Sequence, residues 1–287
     1  MLLELAIGDA YGRRFEGADA ADIAPYNSVE SYASRRLPDP GIATGIYTDD
    51  TQMTLAIAEA IVEDDPWTPQ TLAQRFVDCY HRDPRSGYAR RFRAFLEEIR
   101  DGQDFIARIV PTSERSGAAM RAAPIGVLGD IPTVMECSTL QGSITHDTPG
   151  GRSSAVAAAL MSHYFLYHLG PRKALGAFLD AHVPGYGWEE PWRGHVSLAG
   201  VDCVHAAVTA VVQGNSLRDV LRRSIAFGGD VDTVATIAMA AAACCADLPR
   251  DLPQRLYESL EDGAYGRTYL ERLGGKLMER VPGGGRS

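Results

Sequence analysis

TQMTLAIAEAIV, residues 51–62, sets Leu55, Ala58 and Val62 on one face at helical spacing. The same period runs through 153–169, 200–212, 217–227 and 232–246, and more weakly through 70–80, 88–100 and 254–260. No series of alternating strands joined by hairpin turns interrupts it. The pattern predicts an all-α fold of roughly ten or more helices, taking the usual mean of ~11 residues per helix as the guide.

Working outward, the breaks between these segments are short. Residues 37–41 (LPDPG) and 65–67 (DPW) read as turns, and 183–194 (VPGYGWEEPWRG) is the longest loop-like stretch. None resembles a linker, so residues 1–281 are expected to form a single domain, followed by a disordered tail at 282–287 (PGGGRS). Tyr186, Trp188 and Trp192 in the long loop are expected to cover the core rather than to stack on a base.

The chain of 287 residues carries a formal charge of -9, which argues against a general nucleic-acid binder. A small anionic ligand remains compatible, because one bound metal reverses the local field. The most apolar stretch, 234–246, is Ala-rich, contains Thr236 and falls short of the ~20 residues needed to span a bilayer, so no membrane partner is expected. The opening MLLELAIGDAYG has no basic leader region. The five cysteines include no CxxC pair and read as free thiols in a reducing compartment, so the expected location is the cytoplasm.

Three acidic clusters are read at helix beginnings: Gly8-Asp9-Ala10-Tyr11-Gly12 followed by Glu16, Thr48-Asp49-Asp50-Thr51, and Gly228-Gly229-Asp230-Val231-Asp232-Thr233. Capping uses one side chain per helix. The second carboxylate in a pair has no capping role and repels the first, and a cation relieves that repulsion. The donors are all oxygens, which suits Mg²⁺, Mn²⁺ or Ca²⁺ better than Zn²⁺. Residues two apart on a helix point about 200° apart, so Asp230 must lie in the Gly-Gly loop to converge with Asp232. Helix starts that face each other would offer four carboxylates and several hydroxyls to a pair of metals.

In this order the motifs resemble the ADP-ribosylglycohydrolase family, which includes the dinitrogenase-reductase-activating glycohydrolases and the ADP-ribosyl-acceptor hydrolases. The likeness covers nearly the whole chain: LAIGDAYGRRFE (5–16), YTDDTQM (47–53), SGAAMRAAPIG (116–126), SITHDTPGG (143–151) and FGGDVDTVATIAMA (227–240). The resemblance implies a compact multi-helix orthogonal bundle holding two Mg²⁺ or Mn²⁺ ions. It implies Thr48, Asp49, Asp50, Asp230, Asp232 and Thr233 as metal ligands. Glu16, Asp49 and Asp50 are the implied catalytic carboxylates. Ser116, Gly117, Met120, Ser143, His146 and Gly150 are the implied substrate contacts. The implied reaction removes ADP-ribose from an acceptor by cleaving at the anomeric carbon. The best-matching substrate is ADP-ribosyl-arginine on a protein. Serine-linked or nucleic-acid-linked ADP-ribose, a non-catalytic binding relative and a dinuclear phosphohydrolase are the alternatives.

Two departures from the family pattern bear on specificity. Arg115-Ser116-Gly117 stands where relatives usually have Gly-Asn-Gly, and Leu198-Ala199-Gly200 lacks a frequent aromatic. Residues 148–154 (TPGGRSS) open a long helix whose free N–H groups, with Arg152, are a candidate anion cradle; the plainer reading makes Ser153 or Ser154 a cap. Arg121 is read as one half of a structural ion pair.

Overall fold

Residues 1–32 and 45–281 are described by a computed structural model of the chain. The expected break at 37–41 and the tail at 282–287 lie outside them. Among the described residues there are fifteen α-helices. They are α1 (Leu2–Gly12), α2 (Ala20–Ile23), α3 (Asp49–Val62), α4 (Pro69–Arg82) and α5 (Arg90–Glu98), then α6 (Gly102–Arg108), α7 (Gly117–Met120), α8 (Ile131–Ser143), α9 (Pro149–Leu166) and α10 (Leu175–His182), and finally α11 (Gly200–Gln213), α12 (Leu217–Ala226), α13 (Val231–Cys244), α14 (Gln254–Glu258) and α15 (Arg267–Met278). Extended pairing among them is limited to three isolated bridges, Thr112 with His146, Arg115 with Ala199 and Val196 with Gly229. The fold is all-α.

Burial explains the layering. Helix α13 is buried from Val231 through Ala243, and α3 from Asp49 through Ile61. A helix apolar on every side belongs inside, whereas a one-sided helix belongs at the surface. Accordingly α1, α9, α11 and α12 pack around α13, and outer α5 buries only Leu96. Most buried apolar side chains from Leu2 to Val281 form one connected cluster, with Leu5, Ala123 and Ala240 in a small second one. Among the described residues no helix is long and apolar enough to cross a membrane.

The α1–α13 contact is unusually close because Gly8 and Gly12 lie one turn apart on the facing side of α1. A Cβ at Gly8 would sit 2.6 Å from the Ala235 carbonyl oxygen, and one at Gly12 would sit 2.5 Å from the Asp232 Cα. This corrects one sequence expectation. GDAYG does not begin a helix; it is the last half of α1, which starts at Leu2. Leu2, Leu5, Ala6 and Ile7 are buried on several sides of the helix, so no polar stripe marks it in the sequence.

Polar caps fix six of the helix starts. Thr48, Thr68, Asp101, Asp130, Thr148 and Ser216 each accept an N–H from the first turn of the helix that follows. Thr148, rather than Ser153 or Ser154, therefore caps α9, and the Ser154 hydroxyl donates to the Gly151 carbonyl instead. Arg152 forms an ion pair with Asp147 beside that start.

Candidate active site

Two helix starts meet at the end of α1. Asp9 is fully buried in its last turn and accepts four donors from the start of α3. These are the Thr48 N–H at 2.9 Å, the Thr48 hydroxyl at 2.9 Å, the Thr51 N–H at 3.0 Å and the Thr51 hydroxyl at 2.6 Å. The Thr48 proton is thus spent on Asp9, which leaves the oxygen's remaining lone pair free. On the opposite side, the Asp49 N–H donates to the Ser86 carbonyl at 3.0 Å. Gly87, at φ +106°, passes so close that a Cβ there would overlap the Asp49 Oδ1 at 1.9 Å. Gln52 secures this loop by donating to the Cys79 carbonyl and accepting from the Tyr88 hydroxyl.

The start of α13 supplies the second half. Gly228 and Gly229 have φ of +76° and +90°, a region that side-chain-bearing residues rarely occupy. They carry Asp230 outside the helix, with Asp232 in its first turn. The loop is pinned from both sides: Gly229 N–H donates to the Ala18 carbonyl, Gly17 N–H to the Gly229 carbonyl, and Val196 N–H to the Gly228 carbonyl. Glu16 is consequently held next to Asp230. The two face a cavity of about 290 Å³ lined also by Gly17, His195, Val196, Ser197, Leu198 and Gly229.

Electrostatics show how tightly the carboxylates crowd. Burial, then the charges of Asp49, Asp9 and Asp230, push Asp50 well above the ordinary carboxylate range. Asp232 is raised in the same way by burial and then by Asp230, Asp50 and Glu16, and Asp49 by burial and then chiefly by Asp9. Asp9 is raised by burial against the pull of its four donors. Glu16 is solvent-exposed, so its upward shift from surrounding protein, Asp230 and Asp9 is the one most damped by water. Among the described residues none of Asp49, Asp50, Asp230 and Asp232 has a salt-bridge partner.

The donor chemistry fits a divalent cation. Asp50 Oδ1 is buried with no hydrogen-bond partner, an orphaned anionic atom that a hard cation satisfies. Among the described residues no three His, Cys, Asp or Glu side chains close into a cage by themselves. The hydroxyls of Thr48 and Thr233 sit beside Asp50 and add oxygen donors to the set. Ser116 joins this group: its hydroxyl donates to Asp230 Oδ2 at 2.9 Å and accepts from the Thr233 hydroxyl at 3.4 Å.

The remaining expected contacts are spread more widely. Gly117 lies against the His146 ring, where a Cβ would sit 3.0 Å from Cε1. Burial and the Arg121 charge push the His146 pKa down to about 3, so the ring is neutral. Met120 is buried, and its carbonyl accepts from the Thr54 hydroxyl. Ser143 ends α8 with its hydroxyl donated to the Thr139 carbonyl, and Gly150 lies in the first turn of α9 facing Val201 and Glu114. Among the described residues no hydrogen bond joins either of these two to the carboxylates. Among the described residues Arg121 has no acidic partner, contrary to the ion-pair expectation. It lies over the Phe76 ring at 4.4 Å and donates to Gln141 and Thr145. Trp188 is buried in the core and donates to the Val183 carbonyl.

Three site residues escaped the sequence reading. Asp9 lies in the first acidic motif, but its partners are about forty residues away in sequence. Gly87 and Cys203, whose thiol donates to Asp230 Oδ2 at 3.4 Å, carry no local signal.

Fold and site together define a helical protein with an acidic cleft built from two helix starts. The family model described as ADP-ribosylglycohydrolase matches residues 1–286, and the chain belongs to that family of hydrolases. It is 27% identical to the ADP-ribosylhydrolase ARH3 of Mus musculus over 82% of this chain and 80% of the relative. It is 25% identical to the ADP-ribosylarginine hydrolase Tri1 of Pseudomonas putida (strain GB-1), over 98% of this chain and 77% of the relative. A solved structure described as an ADP-ribosylglycohydrolase-related protein complex superposes with a TM-score of 0.74 at 22% identity, covering 98% of this chain and 96% of that one, and shows the same fold.

Proposed function

We propose that this protein is a divalent-metal-dependent hydrolase that releases ADP-ribose from an ADP-ribosylated arginine on a protein. The observation that carries the reading is the convergence of Asp49, Asp50, Asp230 and Asp232 without basic partners among the described residues, with Glu16 at the cleft face. The likeness to an ADP-ribosylarginine hydrolase supports the choice of acceptor. So does the cavity beside Glu16 and Asp230, whose acidic floor and apolar wall of Val196 and Leu198 suit a guanidinium on an alkyl stem.

Thr48, Asp49, Asp50, Asp230, Asp232 and Thr233 are the residues that would hold two Mg²⁺ or Mn²⁺ ions. When bound, such ions supply Lewis acidity toward ribose hydroxyls and lower the pKa of water. Glu16 takes the proton from the attacking water, a task favoured by a carboxylate pKa above the ordinary range. The surrounding carboxylates stabilise the positive charge that develops at the anomeric carbon. Ser116, Gly117 and His146, with Met120, Ser143 and Gly150 further out, are the proposed ADP-ribose contacts. Residues 1–281 act as a single domain in this reading, supported by a main core cluster that draws on residues from Leu2 to Val281.

The test is a product assay with Mg²⁺ or Mn²⁺ on ADP-ribosylated arginine, serine and nucleic-acid substrates, with a chelator control. Free ADP-ribose from the arginine substrate, lost on chelation, is the expected result. Release of phosphate or a mononucleotide would assign a phosphohydrolase instead. Inactivity on all three substrates despite metal binding would overturn the hydrolase reading.

A further inference from the structure

His146 stands at the end of a directed hydrogen-bond chain that begins at a buried arginine. Arg121 is 1% exposed, and its guanidinium is only a donor. Nε donates to Gln141 Oε1 at 2.7 Å, and Nη2 donates to the Gln141 carbonyl at 3.0 Å and to Thr145 Oγ1 at 2.9 Å. Thr145 Oγ1 lies 2.6 Å from His146 Nδ1. Since the threonine oxygen already accepts from Arg121, its one proton is available for His146 Nδ1. The reverse arrangement, with Nδ1–H donating, would leave that buried hydroxyl proton without an acceptor among the described residues. The proton of the neutral ring then belongs on Nε2. That nitrogen has no hydrogen-bond partner among the described residues, and it faces the Gly117 backbone, where a Cβ would lie 3.3 Å away.

We propose that Arg121 and Thr145 are positioning residues that lock His146 in its Nε2–H tautomer, so that it presents a fixed donor at the Ser116–Gly117 turn to an oxygen of the bound ligand. The absence of a side chain at Gly117 keeps the approach to Nε2 open. The buried Arg121 charge polarises the chain toward that N–H, which suits an anionic oxygen. The lock does not depend on the hydrolase reading; only the choice of ADP-ribose as the ligand rests on it.

Nitrogen-15 NMR of histidine-labelled protein tests this, with the seven histidines resolved by the signals missing from His146→Asn. In the metal-free wild type at neutral pH, His146 should show an unprotonated Nδ1 and a protonated Nε2. Thr145→Val, which keeps the shape and removes the hydroxyl, should abolish that preference and weaken ADP-ribose binding about tenfold, as loss of one oriented hydrogen bond predicts. Thr145→Ser should restore both. Protonated Nδ1 in the wild type, or an unchanged tautomer in Thr145→Val, overturns the proposal; the wild-type spectrum decides the tautomer even if the valine variant fails to fold. The Nε2–H tautomer in a protein that binds no ADP-ribose by calorimetry would support the lock and count against the hydrolase reading.

Discussion

Replacing Gly12 by alanine sets two physical effects against each other. Helix propensity favours alanine by up to ~1 kcal/mol, less at the last position of a helix. The structure opposes it: the new methyl would sit 2.5 Å from the Asp232 Cα and 2.9 Å from its N, both backbone atoms that cannot rotate away. Reaching ordinary contact requires α1 and α13 to part by about 0.9 Å at this point. Overpacking of this kind costs roughly 1–3 kcal/mol, so the net expectation is destabilisation of about 1–2 kcal/mol. At ~2–4 °C per kcal/mol for a chain of this size, Tm should fall by roughly 2–8 °C. Gly275→Ala isolates the propensity effect. Gly275 is exposed within α15, and a Cβ there meets nothing within 4 Å. That variant should gain about 0.5–1 kcal/mol. Thermal and urea denaturation of both variants measure the difference, and Gly12→Ala should also lose turnover because Asp232 is displaced. A Gly12→Ala protein as stable as Gly275→Ala would refute the claim that backbone contact sets the α1–α13 spacing.

Asp50→Asn should abolish turnover yet raise metal-free stability at neutral pH by about 1–2 kcal/mol, since it removes one of several crowded buried charges; a lower metal-free Tm would count against the crowding argument. The raised pKa values also fix a pH trend. Unfolded aspartates lose protons near 3.8, whereas folded Asp49, Asp50 and Asp232 hold theirs to higher pH. Between those limits the folded state binds more protons, so their contribution is full below 3.8 and is lost as pH rises through the folded values. The metal-free Tm advantage of Asp50→Asn should therefore grow from acid to neutral pH and disappear when Mn²⁺ is added to the wild type. Gly87→Ala places a Cβ against Asp49 Oδ1 at a φ of +106°, and kcat should drop on the order of 10²-fold, as for a ~1 Å misplacement of a reacting group; near-normal kcat would show that the 83–88 loop does not hold Asp49. Asp9→Ala strands four donors at the start of α3 and should cost about 3–5 kcal/mol in urea titration; a loss under ~1 kcal/mol would mean that water replaces the carboxylate.

The helical period of 51–62 and the Ala-rich stretch after Asp232 were legible because each is a local property of consecutive residues, whereas several hydroxyls in 148–154 compete for one cap and only the backbone path selects Thr148. The acidic pairs were legible as well, since a second carboxylate at a helix start has no capping use. The helix ending in GDAYG was not, because burial on every side erases the polar stripe that marks a helix in sequence. Nor were Asp9, Gly87, Cys203 and the Arg121–Thr145–His146 chain assigned their places. Their partners are supplied by other segments, and no periodicity or spacing records which backbone comes within 3 Å of which side chain. The sequence by itself therefore determined an all-helical chain with carboxylates gathered at helix starts. Only the tertiary structure decided that two of those starts face each other at the end of α1, because that meeting depends on glycines allowing two backbones to touch.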